Sequence, residues 1–240
     1  TRWDVRDGFS AELLVADLEA FVEALGLTTF HLAGFSLGAM TALIYATRHA
    51  ERLRTLLIAG IDVEREPRAS VARHLMDPER IAREEPAWAD QLERRHGPVQ
   101  GPGAWRDLMR AIAADVVAQP LLGPADLRRV RVPTLLAYGD RDVFAPLPHV
   151  VALYRQLPVA RLLVAPDCDH QVMVSRPALF NEAAAGFYRH TEAAARARAA
   201  AAAEAAGVVE PGGGTIRRGN RAPMPTALPT LTETRTEADR

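Results

Sequence analysis

The 240-residue chain balances 29 basic against 30 acidic residues for a net charge of −1, and 48% of it is hydrophobic. Those totals describe a globular chain of one large domain, or a domain with an insert and a tail, and exclude an overall field that would draw it to nucleic acid or membrane. The single cysteine, Cys168, excludes an internal disulfide, no apolar run approaches the roughly 18 residues of a membrane span, and no charged-then-apolar leader opens the chain, so the cytoplasm is the expected compartment. Every basic residue is arginine, which reads as a base-composition habit of the source rather than as chemistry.

Ser10 is a good N-cap, and Leu14, Leu18, Phe21 or Val22, and Leu25 recur at helical spacing after it, with Gly26 to end the helix. Thr29 to Ala33 is a short apolar run that predicts a buried strand. Gly34-Phe35-Ser36-Leu37-Gly38 follows directly, and Leu37, Met40, Leu43 and Ile44 then mark one face of a helix reaching about His49. Strand, five-residue turn and helix are the context in which Gly-x-Ser-x-Gly is a nucleophile elbow. Such a turn strains the Ser36 backbone, lifts its hydroxyl above the sheet and aims the Leu37 N–H at whatever the hydroxyl attacks. Glycine is expected at 34 and 38 because side chains there would collide with neighbouring backbone.

Leu53 to Ala59 predicts a second strand. From Asp62 to Arg128 no strand-like run occurs; Asp77-Pro78 and Glu85-Pro86 look like helix starts, and Trp105, Leu108, Met109, Ile112 and Val116 mark a longer helix. Strands resume at Val132–Tyr138 and Arg161–Ala165, separated by a helix through Val150, Val151, Tyr154 and Leu157. Ser175-Arg176-Pro177 opens a last helix that runs into an Ala-rich stretch, stopped at Gly207; from Pro211 the composition predicts disorder and a solvated extension. Alternating strands and helices imply an α/β fold with a parallel sheet. The expected division is a core part over 1–61, a helical insert over 62–128, a second core part over 129–191, a helical extension over 192–210 and a disordered tail over 211–240.

A serine hydroxyl needs a base to take its proton, and the base needs a third group to orient it. Both candidates lie just past strand ends, where the loops of a parallel sheet carry function. Gly139-Asp140-Arg141-Asp142 offers Asp142, with Asp140 as either a competing acid or a cap of the turn. Asp167-Cys168-Asp169-His170 offers His170, 28 residues after Asp142, enough for one helix and one strand between them. The other six histidines (His31, His49, His74, His96, His149 and His190) fit surface or structural positions better. No second ligand cluster supports a metal at Asp167–His170, and the chemistry calls for no cofactor.

On these residues the chain resembles the α/β-hydrolase superfamily, and within it the capped esterases and enol-lactonases. The resemblance spans roughly 10–190 and rests on Gly-Phe-Ser-Leu-Gly at 34–38, Val-Pro-Thr-Leu-Leu-Ala-Tyr-Gly-Asp-Arg-Asp at 132–142, and Pro-Asp-Cys-Asp-His at 166–170 through Arg176-Pro177. It implies Ser36 as nucleophile, His170 as base, Asp142 as orienting acid and the Leu37 N–H as an oxyanion donor. It implies that the insert is a cap and that the substrate is a small carboxylic ester or lactone; within the cap His74, Trp88, Trp105 and Met109 are plausible liners, though residues of these types are more often core. Two departures stand out. Asp169 occupies the place of the family's usual glycine before the histidine, where it either favours the charged imidazole or points to solvent. Only 28 residues precede the nucleophile strand, where the family has several strands and a second oxyanion N–H. The fold is therefore expected to be N-terminally incomplete, with a fragment, a partner-supplied half or a decayed remnant as explanations, and with oligomerisation through the exposed sheet edge. The rivals to an esterase are an inactive scaffold acting as a binding protein, and the same triad turned to C–C bond hydrolysis or cofactor-free haloperoxidation. Dehalogenation would want Asp at 36.

Overall fold

The structure, a computed structural model, describes residues 8–206; the expected disordered tail over 211–240 and the stop at Gly207 lie outside them. The four predicted strands form one parallel sheet in the order β1 (Phe30–Phe35), β2 (Leu53–Ala59), β3 (Thr134–Gly139), β4 (Ala160–Ala165). β3 starts two residues later than the apolar run. Pro133 has no N–H to donate to the ladder, although its carbonyl accepts the Leu56 N–H of β2 at 2.9 Å, and Thr134 then donates its N–H to Val159 O at 2.9 Å.

Side chains alternate across the sheet. Leu56, Ile58, Leu136 and Tyr138 point to one face, where they bury against Met40 and Leu43 of α2 (Leu37–His49), Val15 of α1 (Ala11–Ala24) and Val150 and Leu153 of α8 (Leu147–Gln156). Leu57 and Leu135 point to the other, against Ala184 and Phe187 of α10 (Pro177–Ala205). This two-sided burial explains why β2 and β3 read as continuous apolar runs rather than alternating ones. α1 is capped as its sequence predicts, the Ser10 hydroxyl accepting the Leu13 N–H at 3.2 Å.

Between β2 and β3 the chain forms five helices: α3 (Arg65–Leu75), α4 (Pro78–Glu84), α5 (Pro86–Gln100), α6 (Ala104–Ala118) and α7 (Pro124–Leu127). Pro78 and Pro86 stand in the first turns of α4 and α5, and the Asp77 carboxylate accepts the Glu79 N–H at 2.9 Å. The insert has its own core of Met76, Ile81, Trp105, Met109 and Val116. Trp105 and Met109, for which a core role is the commoner expectation, are core residues there, at 2% and 7% exposure.

Two buried polar groups fasten the insert where the chain enters and leaves it. The Arg68 guanidinium donates to the carbonyls of Asp62 and Val63 on the way in and of Gln119 and Pro120 on the way out, at 3.0–3.4 Å. Asp115 of α6 accepts the Ala11 N–H at 2.7 Å, so a carboxylate of the insert caps the start of α1, where the helix dipole favours negative charge. The chain to Ala197 forms one compact unit holding the sheet, the insert and all the residues discussed below; the part of α10 described beyond it, 198–206, is exposed.

Candidate active site

Ser36 sits between β1 and α2 with φ 51°, a conformation costly for a residue with a Cβ. The elbow is held by the Ser36 N–H bonding to Ala59 O of β2 at 2.9 Å, and by the Ala39 and Met40 N–H groups closing onto Ser36 O. Leu37 is the first residue of α2, so its N–H has no acceptor within the helix. The steric demand on the flanking glycines is one-sided. A Cβ at Gly34 would lie 2.3 Å from the carbonyl oxygen of Gly38. A Cβ at Gly38 would meet nothing within 4 Å, contrary to expectation, because the close approach is made by the backbone of Gly38 and not by its Cα face.

Asp142 and His170 come from the loops after β3 and β4. The structure brings Ser36, Asp142 and His170 together: Ser36 Oγ to His170 Nε2 is 3.1 Å, and His170 Nδ1 to Asp142 Oδ2 is 3.0 Å. The Asp142 side chain is fully buried, its other oxygen accepting the Phe144 N–H at 2.9 Å. A carboxylate fixed at Nδ1 keeps the proton there and leaves Nε2 free to accept from the hydroxyl. The rings of Phe35 and Phe144 stand 4.9 and 5.2 Å from the imidazole and confine it.

The competing carboxylates are engaged elsewhere. Asp140 accepts the Cys168 N–H at 3.1 Å, and the Arg141 N–H bonds to Cys168 O, lacing the two loops together. Asp169 neither joins the line nor lies free: it accepts the Gln171 N–H and the Ser175 hydroxyl, and the hydroxyl bond, aided by the N–H, holds its carboxyl below the ordinary 3.8. Burial pushes the Cys168 thiol up, so it is no thiolate nucleophile. No group of three or more metal-ligating side chains occurs among the described residues.

The sequence did not point to four neighbours of the site. Gly60, at φ 65°, lets the chain pass under His170, where a Cβ would stand 2.9 Å from the ring; Gly139 passes Cys168 O even more closely. Gly60 directly follows a buried strand and Gly139 ends one, a signal that was available. Asp62 lines the cavity at Ser36 and binds His149 Nδ1 at 2.8 Å, a pairing 87 residues apart that no local pattern announces. Tyr138 donates its hydroxyl to Ile61 O, steadying the loop after β2, and burial pushes its own titration far up.

Residues 2–183 match the model of the alpha/beta hydrolase family. The chain belongs to that family. Among solved structures of this alpha/beta hydrolase fold it is similar to NosK from Streptomyces actuosus, with 25% identity over 74% of this chain and 76% of that one at a TM-score of 0.61. It is also similar to an enol-lactonase from Burkholderia xenovorans LB400, 22% identical over 76% and 74% at TM-score 0.58, and to a thermophilic esterase from Thermogutta terrifontis, 22% identical over 77% and 74% at TM-score 0.56. As expected from sequence, the fold is that of the alpha/beta hydrolases, and Ser36 follows the carboxyl end of β1.

Proposed function

We propose that this alpha/beta hydrolase cleaves a carboxylic ester or lactone through an acyl-enzyme, with the helical insert as a cap over the site. The observation that carries the reading is the unbroken line from Ser36 Oγ through His170 to a buried Asp142, at 3.1 and 3.0 Å, above a serine held at φ 51°. A hydroxyl, an imidazole and a carboxylate in that order form an activated nucleophile. The names of the similar enol-lactonase and esterase agree with it.

In this mechanism Ser36 Oγ attacks the carbonyl carbon while its proton passes to His170 Nε2. The carbonyl oxygen becomes an oxyanion facing the Leu37 N–H; one such donor is worth about 10²–10³ in rate. The intermediate collapses, the alcohol oxygen leaves with the proton from Nε2, and the acyl group stays on Ser36. Water then loses its proton to Nε2, attacks the acyl carbon and releases the acid, and Ser36 Oγ recovers the proton. Asp142 holds the imidazole and steadies its positive charge in both halves. No step needs a cofactor or a metal.

The test is a stopped-flow experiment with p-nitrophenyl acetate. A burst of nitrophenol approaching one equivalent, with an acetyl group trapped by acid on the peptide carrying Ser36, is the expected result. No burst and no acetyl peptide would leave a scaffold that binds without turnover.

A further inference from the structure

Two cavities meet at the Ser36–His170 pair, and their walls differ. One has a volume of about 50 Å³ and runs under α3 and α6, walled by Met40, Val71, Met76 and Val116. Three of those four are buried, at 4%, 8% and 6% exposure for Met40, Met76 and Val116. The two charged groups in its wall are already engaged, Asp62 by His149 and the Glu64 N–H, Arg68 by four carbonyls, so the apolar side chains are what it offers to a guest. The other cavity is about 490 Å³, walled by Phe35, Leu75 and Trp88 together with Glu85, Gln91 and Gln171, and these last three are exposed to solvent.

Resting on the serine mechanism above, we infer that the narrow cavity holds the acyl group and the wide one the alcohol, so that the substrates are esters of short aliphatic acids with bulky alcohols. The acyl group remains bonded to Ser36 between the two half-reactions and needs a wall that keeps bulk solvent away. The alcohol must depart in that interval and water must enter, which the wide cavity with its exposed walls permits. Leu37, whose N–H faces the oxyanion, lines the narrow cavity, whereas Gln171, next to the proton-donating His170, lines the wide one. The narrow cavity has about a tenth of the volume of the wide one, so it suits an acyl chain of acetyl to butyryl length rather than a longer one.

The experiment crosses two ester series, p-nitrophenyl esters from acetyl to octanoyl and butyrates of ethanol and 1-naphthol, with Val116→Ala, Val116→Leu and Trp88→Ala. The wild type should show kcat/KM highest from acetyl to butyryl and at least about tenfold lower for hexanoyl and octanoyl. Val116→Ala should raise the hexanoyl-to-butyryl ratio severalfold and Val116→Leu should lower the butyryl-to-acetyl ratio, both at a constant naphthyl-to-ethyl ratio. Trp88→Ala should change only the naphthyl-to-ethyl ratio. A flat or rising chain-length profile, or the two sets of variants exchanging their effects, overturns the assignment. Ester cleavage without these preferences removes this inference and leaves the serine mechanism standing; no cleavage by a protein whose Ser36 takes no fluorophosphonate removes both.

Discussion

His170 is held by its surroundings more than by its own loop. It touches Ser36 and Asp142 through its nitrogens and packs its ring beside those of Phe35 and Phe144, and the missing side chain of Gly60 leaves room for Cε1. Gly60→Ala asks a Cβ to stand 2.9 Å from that carbon at φ 65°, so the imidazole must move. A displacement near 1 Å costs on the order of 10²-fold in a positioned reaction. The variant should lose about that much kcat/KM while its melting temperature falls by only a few degrees, about 1 kcal/mol of left-handed strain; unchanged turnover would mean that the ring does not need its place. Asp169 belongs to this scale too. Its carboxyl is held low by Ser175 and the Gln171 N–H, so its contribution is present above the ordinary 3.8 and lost as pH falls through its lower folded value. Asp169→Asn should melt below wild type at pH 7, and the gap between the two should shrink as pH falls below 3.8. A gap that persists or widens in acid would contradict the assignment.

Among the elements, the insert depends on Arg68. One buried guanidinium bonds the carbonyls at both crossings between sheet and insert, an arrangement that needs a planar fork with five donors. Arg68→Ala leaves those carbonyls without their charged donor, and a loss of about 3–5 kcal/mol in urea unfolding is expected. Arg68→Lys should recover little of it, because one ammonium cannot reach both crossings; full recovery would show that charge alone sufficed. Elements were the most legible part of the sequence. Ser10, Pro78 and Pro86 announced helix starts, and buried strands were continuous apolar runs because both faces are covered. Arg68 and Asp115 were not legible, since their partners lie 51 and 104 residues away and depend on how the insert docks. The three loops carrying Ser36, Asp142 and His170 could be picked out because each follows a strand. The empty space at Gly38 could not, since it depends on the direction of a single Cα–H bond.

At the scale of the whole molecule, β1 is an edge strand that pairs only with β2 among the described residues, although it carries the nucleophile. Its residues His31 and Ala33 are exposed, and an open edge invites another strand. We expect this chain to self-associate through β1, with a sedimentation-equilibrium mass that rises with concentration and returns to that of the monomer in Ala33→Lys. A wild-type mass that stays monomeric at every concentration would contradict this. No described helix is long and apolar enough to cross a membrane.

The reaction itself comes down to one atom, the Ser36 oxygen in its line with His170 and Asp142. Reaction with a fluorophosphonate followed by mass spectrometry of the peptide that spans the elbow measures its nucleophilicity without any assumption about the substrate. Stoichiometric phosphonylation at Ser36, abolished in Ser36→Ala and slowed by at least about 10³-fold in His170→Ala, is the predicted result. Equal labelling of wild type and Ser36→Ala, or none in a folded wild type, would contradict it.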